Sequence, residues 1–380
     1  MNILILTSWY PSKKNLVSGI FVKEQIKALK CLGLNPVVFY PFDTSIKPNS
    51  LTWDLEDGVK VYRANTDYIK NSKLSKINSF MKSVRFLNKV VKENNIELIH
   101  SHVCYGAGFI ANLYTKFNNI PYIITEHMST IKEFSLKPYN RILFKSSYKR
   151  AKKVITVSSF LSNELTSLGY QFHKEIIGNV VNVDEYELNY SKENDIFNIL
   201  FIGIMGENEV KGLPFFIPAL AKFMCNNPQY NIKFHLIGDG IKRKKYESLC
   251  NEYKISQNCI FYGAVDKKDI PRYIKNSSFL VLPSVKETFG SVLIEAMAGG
   301  KPVLATKCGG PQEFVNKKVG VLVDSKSEEA LEEGLKKIIE NYDKFDTLYI
   351  RNYIKNNYSY EAVGSKLKCL YEDILLKSNK

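Results

Sequence analysis

Glu287 and Glu295 stand eight positions apart in the stretch SVKETFGSVLIEAMAGGKPVLA (284–305), with Phe289, Gly290 and Ser291 between them. A carboxylate accepts hydrogen bonds from two neighbouring hydroxyls at once, the pairing that a sugar or a ribose ring presents. A helix that opens on glycine leaves backbone N–H groups to hold an anion, and its dipole favours negative charge there. The pattern predicts a strand over 279–282, a loop carrying Glu287, a helix opening near Gly290-Ser291, and Gly299-Gly300 ending that helix. Glu295 then lies about one turn in. The two acids do not share a helix face: one sits on the loop and one on the helix. They would flank a phosphate position, each placed to take hydroxyls.

Further residues of this kind follow other predicted strands. Lys211-Gly212 precedes a helix, where a lysine opposes the dipole unless an anion is present. The stretches FIG (201–203), FHLIGDG (234–240) and FYGAV (261–265) bring Gly203, Gly238 and Val265 to strand ends. Such turns allow backbone contact with a base or ribose, and chain reversal explains them equally well. CGGPQE (308–313) repeats the theme with Glu313. Near the N-terminus, Ser18-Gly19 opens a helix and reads either as a phosphate approach or as a plain cap. TEH (125–127) ends a strand with Glu126 and His127. That histidine suits a sugar hydroxyl or a leaving group, or simply caps the strand. Gly106-x-Gly108-x-x-Ala111, with Glu126 twenty residues on from Gly106, matches a dinucleotide fingerprint. The five residues 101–105 before the first glycine make a poor tight turn.

Positioning these residues takes alternating strands and helices. Strands are predicted at 2–7, 36–40, 59–63, 97–101, 121–125, 153–157 and 175–178. A second series follows at 198–202, 231–237, 258–262, 279–282, 302–305 and 319–323. Helices are predicted between most of them, including 20–32, 138–151, 213–226 and 328–341, with a last one near 359–376. Two such series imply two doubly wound α/β domains, over 1–186 and 197–356, joined by a polar linker at 187–196. Ligands of such sheets sit beyond the carboxyl ends of the strands, so the active site is expected in a cleft between the domains.

Composition agrees with a globular chain of 380 residues, 45% hydrophobic and 24% charged. No apolar run is long enough to span a membrane. MNILILTSWYP reads as a first strand, not a signal peptide. Seven cysteines without a C-x-x-C argue against disulfides and zinc, and for the reducing cytosol. The net charge of +15 is uneven. Residues 1–185 carry 25 basic against 14 acidic residues, and the remainder 28 against 24. The stretches 70–92 and 137–153 each hold seven basic residues and no acid. The second interleaves Tyr139, Phe144 and Tyr148. A solvated helix face explains both, and an anionic membrane surface fits better than nucleic acid, for which no recognised motif occurs.

In their order along the chain, these residues resemble the retaining nucleotide-sugar glycosyltransferases of the GT-B type, family 4, of the kind that build bacterial envelope polysaccharide. The resemblance covers nearly the whole chain. Its most specific element is the E-x7-E signature at Glu287 and Glu295. The glycine loop at Gly19, TEH at His127, KG at Lys211-Gly212 and GGPQE (309–313) fall in the expected order. The resemblance implies two Rossmann-like domains facing a cleft (the GT-B fold), with residues 357–380 crossing back to the first. It implies that the donor lies mainly on the second domain, whose Gly203, Gly238 and Val265 belong to the donor side. Glu295 would hold the ribose and Glu287 the donor sugar. Lys211 and the backbone of Phe289, Gly290 and Ser291 would meet the diphosphate, while Gly19 and His127 close over the sugar. His127, Lys211 and Glu287 are the expected catalytic set. One position departs: the family's arginine after FIG is Ile204 here, which shifts phosphate charge to Lys211, helix dipoles and a base near Lys13 or Lys14.

No D-x-D occurs, so neither an essential metal nor another cofactor is expected. Retention is expected through departure of the nucleoside diphosphate with front-face attack by the acceptor hydroxyl. The expected partners are a nucleotide-sugar donor, first a UDP-sugar and second GDP-mannose, and a saccharide or lipid-linked saccharide acceptor. The protein is expected to be cytoplasmic, peripheral on the inner membrane face, and a monomer or weak dimer. A hydrolysing nucleotide-sugar epimerase, an NAD(P) oxidoreductase using Gly106–Ala111, and a non-catalytic binding protein are the competing readings.

Overall fold

The computed structural model describes residues 1–66, 73–189 and 196–378. The chain divides into two units, Met1–Val180 with Tyr360–Lys380, and Val181–Ser359.

Unit 1 holds strands β1 (Asn2–Thr7), β2 (Asn35–Tyr40), β3 (Leu51–Glu56), β4 (Val59–Ala64), β5 (Leu98–His102), β6 (Tyr122–Glu126), β7 (Val154–Thr156) and β8 (Lys174–Ile176). They form one sheet in the order β3-β4-β2-β1-β5-β6-β7-β8. All pairs are parallel except β3–β4. Its helices are α1 (Ile20–Cys31), α2 (Lys73–Glu93), α3 (Phe109–Tyr114), α4 (Ile131–Ser135), α5 (Pro138–Arg150) and α6 (Ser159–Ser167). Within NILILT the residues Ile3 to Leu6 are all apolar because β1 is buried on both faces. Leu4 and Leu6 pack with Leu87 of α2, Ile110 of α3 and Phe144 of α5. Ile3 and Ile5 pack with Val22 and Ile26 of α1 and with Val363, Leu367 and Tyr371 of the C-terminal helix.

Unit 2 holds β9 (Ile196–Ile202), β10 (Asn231–Ile237), β11 (Cys259–Gly263), β12 (Phe279–Leu282), β13 (Val303–Thr306) and β14 (Gly320–Val323). Its helices are α7 (Leu213–Asn226), α8 (Arg243–Glu252), α9 (Ile270–Lys275), α10 (Ser291–Ala298), α11 (Glu328–Glu340) and α12 (Thr347–Tyr358), and α13 (Tyr360–Ser378) returns to unit 1. The sheet order is β11-β10-β9-β12-β13-β14, all parallel. That is the doubly wound order 3-2-1-4-5-6, whose direction reverses between β9 and β12. In unit 1 the reversal lies between β1 and β5. The loops after these four strands are where such sheets bind ligands.

One expectation needs correction. The sequence reading contains no strand at Leu51–Glu56. That strand lies at the sheet edge and is largely exposed on both faces, so no apolar alternation marks it. Its signal is the turn Asp57-Gly58, with φ of 52° and 71°, the positive pair that a tight hairpin requires. The units divide between Val180 and Val181, ahead of the expected linker at 187–196. Residues 183–189 already pack as part of unit 2: the Tyr186 carbonyl accepts from Arg351, and Asn189 donates to the Lys275 carbonyl at 3.3 Å. Positions 190–195 of that linker, like 70–72 of the basic stretch, lie outside the described residues.

Candidate functional site

In unit 2 the loops after β9 and β12 are in backbone contact. Gly212 caps α7 with φ 70°, and a Cβ there would lie 1.8 Å from the Pro283 carbonyl oxygen. The Val285 N–H donates to the Val210 carbonyl at 2.7 Å. This approach carries Lys211 onto Glu287, and its ammonium pairs with Glu287 Oε1. Ser284 Oγ donates to the same oxygen at 3.1 Å. The Glu287 backbone is fixed on both sides, donating to the Cys308 carbonyl at 3.0 Å and accepting from Gly310 N–H at 2.9 Å. The glycine turn of GGPQE therefore holds the Glu287 loop in place. Both side chains of the pair keep solvent access, 25% for Lys211 and 13% for Glu287.

Helix α10 opens at Gly290, φ 93°, with no side-chain cap. Its first N–H groups are the anion-holding kind, and Ser291 stands at the first helical position. The Phe289 side chain is buried against Phe314 and Tyr358, so it anchors the turn and only its backbone remains for a ligand. Glu295 follows in the helix, but it does not join Glu287. Its carboxylate pairs with Lys267 at 2.5 Å, and Lys267 also reaches the Tyr186 hydroxyl at 3.3 Å. Each acid thus has its own lysine. Lys267 was not expected from sequence. It lies two positions after half-buried Val265 in the loop leaving β11, and nothing in local spacing ties that loop to Glu295.

Gly203 and Gly238 meet where β9 and β10 end: a Cβ on Gly238 would lie 1.9 Å from the Gly203 carbonyl oxygen. Gly203 N–H donates to Ile237 at 2.9 Å, and Gly238 N–H to Gly263 at 2.8 Å. Ile204, at the departing position, is 62% exposed. Lys14 does not stand in as a free base, because it donates to the Thr44 carbonyl at 2.7 Å.

In unit 1, Gly19 caps α1 with φ 68°, and a Cβ there would lie 2.1 Å from the Trp9 carbonyl oxygen. It is the counterpart of Gly212. Phe21, two residues on, lays its ring on His127 with centroids 4.3 Å apart. His127 is buried, and its Nε2 lies 3.1 Å from Nδ1 of His102, at the end of β5. Burial, with His102 adding to it, holds His127 well below the ordinary histidine range, so the imidazole is neutral. His102 was missed, although the alternation HSH (100–102) places His100 and His102 on one face of the strand.

The dinucleotide reading fails on its own residues. Glu126 is fully buried, and burial pushes its carboxyl up. It accepts from the N–H groups of Cys104, His127 and Met128 and from the Tyr148 hydroxyl. No ribose can reach it. The glycine turn packs against Ser8, whose hydroxyl accepts from Ala107 N–H at 2.9 Å and donates to the Tyr105 carbonyl at 2.7 Å.

Two family descriptions divide the sequence between them. Residues 18–185 match "Glycosyltransferase Family 4" and residues 182–356 match "Glycosyl transferases group 1". An uncharacterized glycosyltransferase of Methanocaldococcus jannaschii is 26% identical over 98% of this chain and 99% of its own length. TuaC of Bacillus subtilis, a glycosyltransferase ascribed to teichuronic acid biosynthesis, is 24% identical over 88% of each chain. Among solved structures, a sucrose-phosphate synthase from Thermosynechococcus elongatus superposes with a TM-score of 0.79 at 20% identity, covering 99% of both chains. Anabaena HepE, solved with UDP and glucose, gives 0.77 at 19% identity over 98% of this chain and 100% of its own. These likenesses favour neither an epimerase nor an oxidoreductase.

Proposed function

The chain belongs to the family 4 glycosyltransferases of the GT-B class, and on that premise we propose that it transfers a sugar, with retention and without a metal, from a UDP-sugar to a saccharide or lipid-linked saccharide acceptor. Glycosyl transfer in polysaccharide or glycolipid biosynthesis is supported by relatives such as TuaC. The observation that carries the finer reading is the Lys211–Glu287 pair at the strand reversal of unit 2, with the glycine-led start of α10 at Gly290.

A diphosphate at that helix start draws Lys211 from Glu287, because two phosphate charges outweigh one carboxylate. Glu287, released, accepts hydroxyls of the donor sugar, and Glu295 accepts those of the ribose. The ammonium and the helix N–H groups then face the oxygen on which charge develops as the bond to the sugar breaks. With cationic charge supplied this way and no D-x-D in the sequence, the reaction needs no metal. Retention follows from front-face attack by the acceptor hydroxyl, the leaving phosphate taking its proton.

A lipid-linked acceptor is supported by α5. Leu136, just before it, and Tyr139 and Ile142 on it are 77%, 58% and 69% exposed, beside Lys137, Arg141, Lys145 and Lys149. Apolar side chains among lysines suit an anionic bilayer surface. Among the described residues no helix is long and apolar enough to cross a membrane.

The test is a transfer assay over a panel of UDP- and GDP-sugars, with product anomers assigned by NMR, for the wild type and Glu287→Gln. A UDP-sugar is expected to be used without added Mg²⁺, with retention and a strong loss in the variant. Near-normal transfer by the variant, inversion, or a strict Mg²⁺ requirement would each overturn the corresponding part. Anionic liposomes are expected to bind the wild type and to lose a variant with Lys137, Arg141 and Lys145 reversed to glutamate.

A further inference from the structure

Glu287 has a second donor besides Lys211, and the two are held in different ways. The Lys211 ammonium and the Ser284 hydroxyl both meet Oε1 of Glu287, the hydroxyl at 3.1 Å. Among the described residues nothing donates to Oε2. The protein thus grips the carboxylate by one oxygen and leaves the other unspent, on a side chain that keeps 13% of its surface in solvent.

Lys211 reaches Oε1 through four methylenes and is 25% exposed, so its ammonium is free to swing toward an incoming anion. Ser284 has no such freedom. It is fully buried, two residues past the end of β12. Its carbonyl accepts from the hydroxyl of Thr306, the buried last residue of β13. On one side of it Val285 N–H donates to the Val210 carbonyl at 2.7 Å, and on the other the Pro283 carbonyl lies against Gly212. Only rotation of its own hydroxyl remains. The bond from Ser284 to Glu287 is also surplus to the shape of the loop. Backbone bonds from Glu287 to Cys308 and Gly310, and from Val285 to Val210, already close that loop without either side chain. Glu295 has no counterpart: among the described residues its carboxylate meets Lys267 alone, at 2.5 Å.

We propose that Ser284 is a positioning residue for the donor sugar: it keeps hold of Oε1 of Glu287 when the diphosphate draws Lys211 away, so that Oε2 is the oxygen the sugar hydroxyls meet. This rests on the reading of Glu287 as the acceptor of those hydroxyls. A carboxylate with no donor turns broadly about its terminal torsion, and the ligand must then order it on binding. A hydroxyl held by the surrounding backbone orders it beforehand, and its bond to a charged oxygen is of the stronger kind. The acid that meets the reacting sugar is the one so held, while the acid assigned to the ribose is left to a mobile lysine.

Transfer kinetics and nucleotide binding on the full chain test this. Ser284→Ala removes the hydroxyl and leaves every backbone bond of the loop in place. Its kcat/KM for the nucleotide sugar is expected to fall about 10–100-fold, the worth of one hydrogen bond to a charged group. Its affinity for the nucleoside diphosphate alone, measured by calorimetry, is expected to stay within about threefold, because Ser284 acts only through the sugar. A merely structural loss would weaken both, since the same loop leads into α10 and is bonded to the loop of Lys211. The double variant S284A/E287Q is expected to transfer within about twofold of E287Q, because Ser284 acts through Glu287. Wild-type transfer by S284A beside a slow E287Q would overturn this inference alone. So would a matching loss of nucleoside diphosphate affinity, or losses that multiply in the double variant. Wild-type transfer by E287Q would remove the sugar-acceptor reading, and the role of Ser284 with it.

Discussion

Where the sheet of unit 2 reverses, a lysine meets a glutamate and keeps a quarter of its surface in water. Where the sheet of unit 1 reverses, two histidines meet each other out of water and uncharged. The frames match closely. Each has a first strand, a loop, a left-handed glycine and a first helix, Gly19 before α1 and Gly212 before α7. The difference lies in what each frame holds. The charged groups keep partial solvent access and are paired, because burying an unpaired charge costs more than most domains can offset. The two histidines, held out of water, are neutral and share a single proton.

Four tests probe this contrast, from the largest effect to the smallest. Lys211→Ala should lower transfer by about 10²–10³-fold, or ~3–4 kcal/mol, as loss of one donor to a developing oxyanion does. A steady-state loss under tenfold would break the assignment of charge to unit 2. Next comes the shared device. Gly19→Ala and Gly212→Ala each force a Cβ into a carbonyl oxygen and into a left-handed backbone. Each should cost roughly 3 kcal/mol of stability in urea titration. Tolerance at either position would show that the two frames are not equivalent.

Acid should then separate the two ends by about 2 kcal/mol. His102 binds its proton near 6.5 when unfolded and near 3 when folded, so the unfolded state takes up more protons between those values. Its stabilisation is present above 6.5 and is lost as pH falls through that window, about 2 kcal/mol by pH 5. His100 and His127, depressed by the same burial, add in the same direction, while Glu126, pushed up by burial, opposes them. Thermal unfolding at pH 7.5 and 5 measures the balance, and H102L should remove the share that belongs to His102. Stability independent of pH over this range would mean that the histidines are not buried neutral. The smallest effect is at Lys267, part-exposed over Glu295. Lys267→Ala should change stability by less than about 1 kcal/mol. It should lower donor KM by no more than about threefold, since the lysine competes with ribose hydroxyls for Glu295. A tenfold rise in KM would instead make Lys267 a donor contact.

Much of the fold was legible because it depends on local periodicity. Apolar runs such as NILILT and FLVL, separated by amphipathic stretches, identify buried parallel strands within a residue or two. The hairpin at Leu51–Glu56 was not legible, since an exposed edge strand needs no apolar alternation. In the candidate site, Glu287 and Lys211 are visible as residues against their local context, an acid before a glycine-led helix and a lysine at a helix start. Their pairing across 76 positions is not visible.

The sequence by itself determined which segments are strands and helices, which faces are apolar, where glycine must stand, and that acids and lysines cluster after strands of the second unit. These follow from backbone sterics and side-chain period, which act over a few residues. Only the tertiary structure decided the partners: Lys211 with Glu287, Lys267 with Glu295, His102 with His127, and Glu126 withdrawn into hydrogen bonds. A partner is chosen by which strand ends the sheet order brings side by side, and charge and protonation are then set by how much water remains between them.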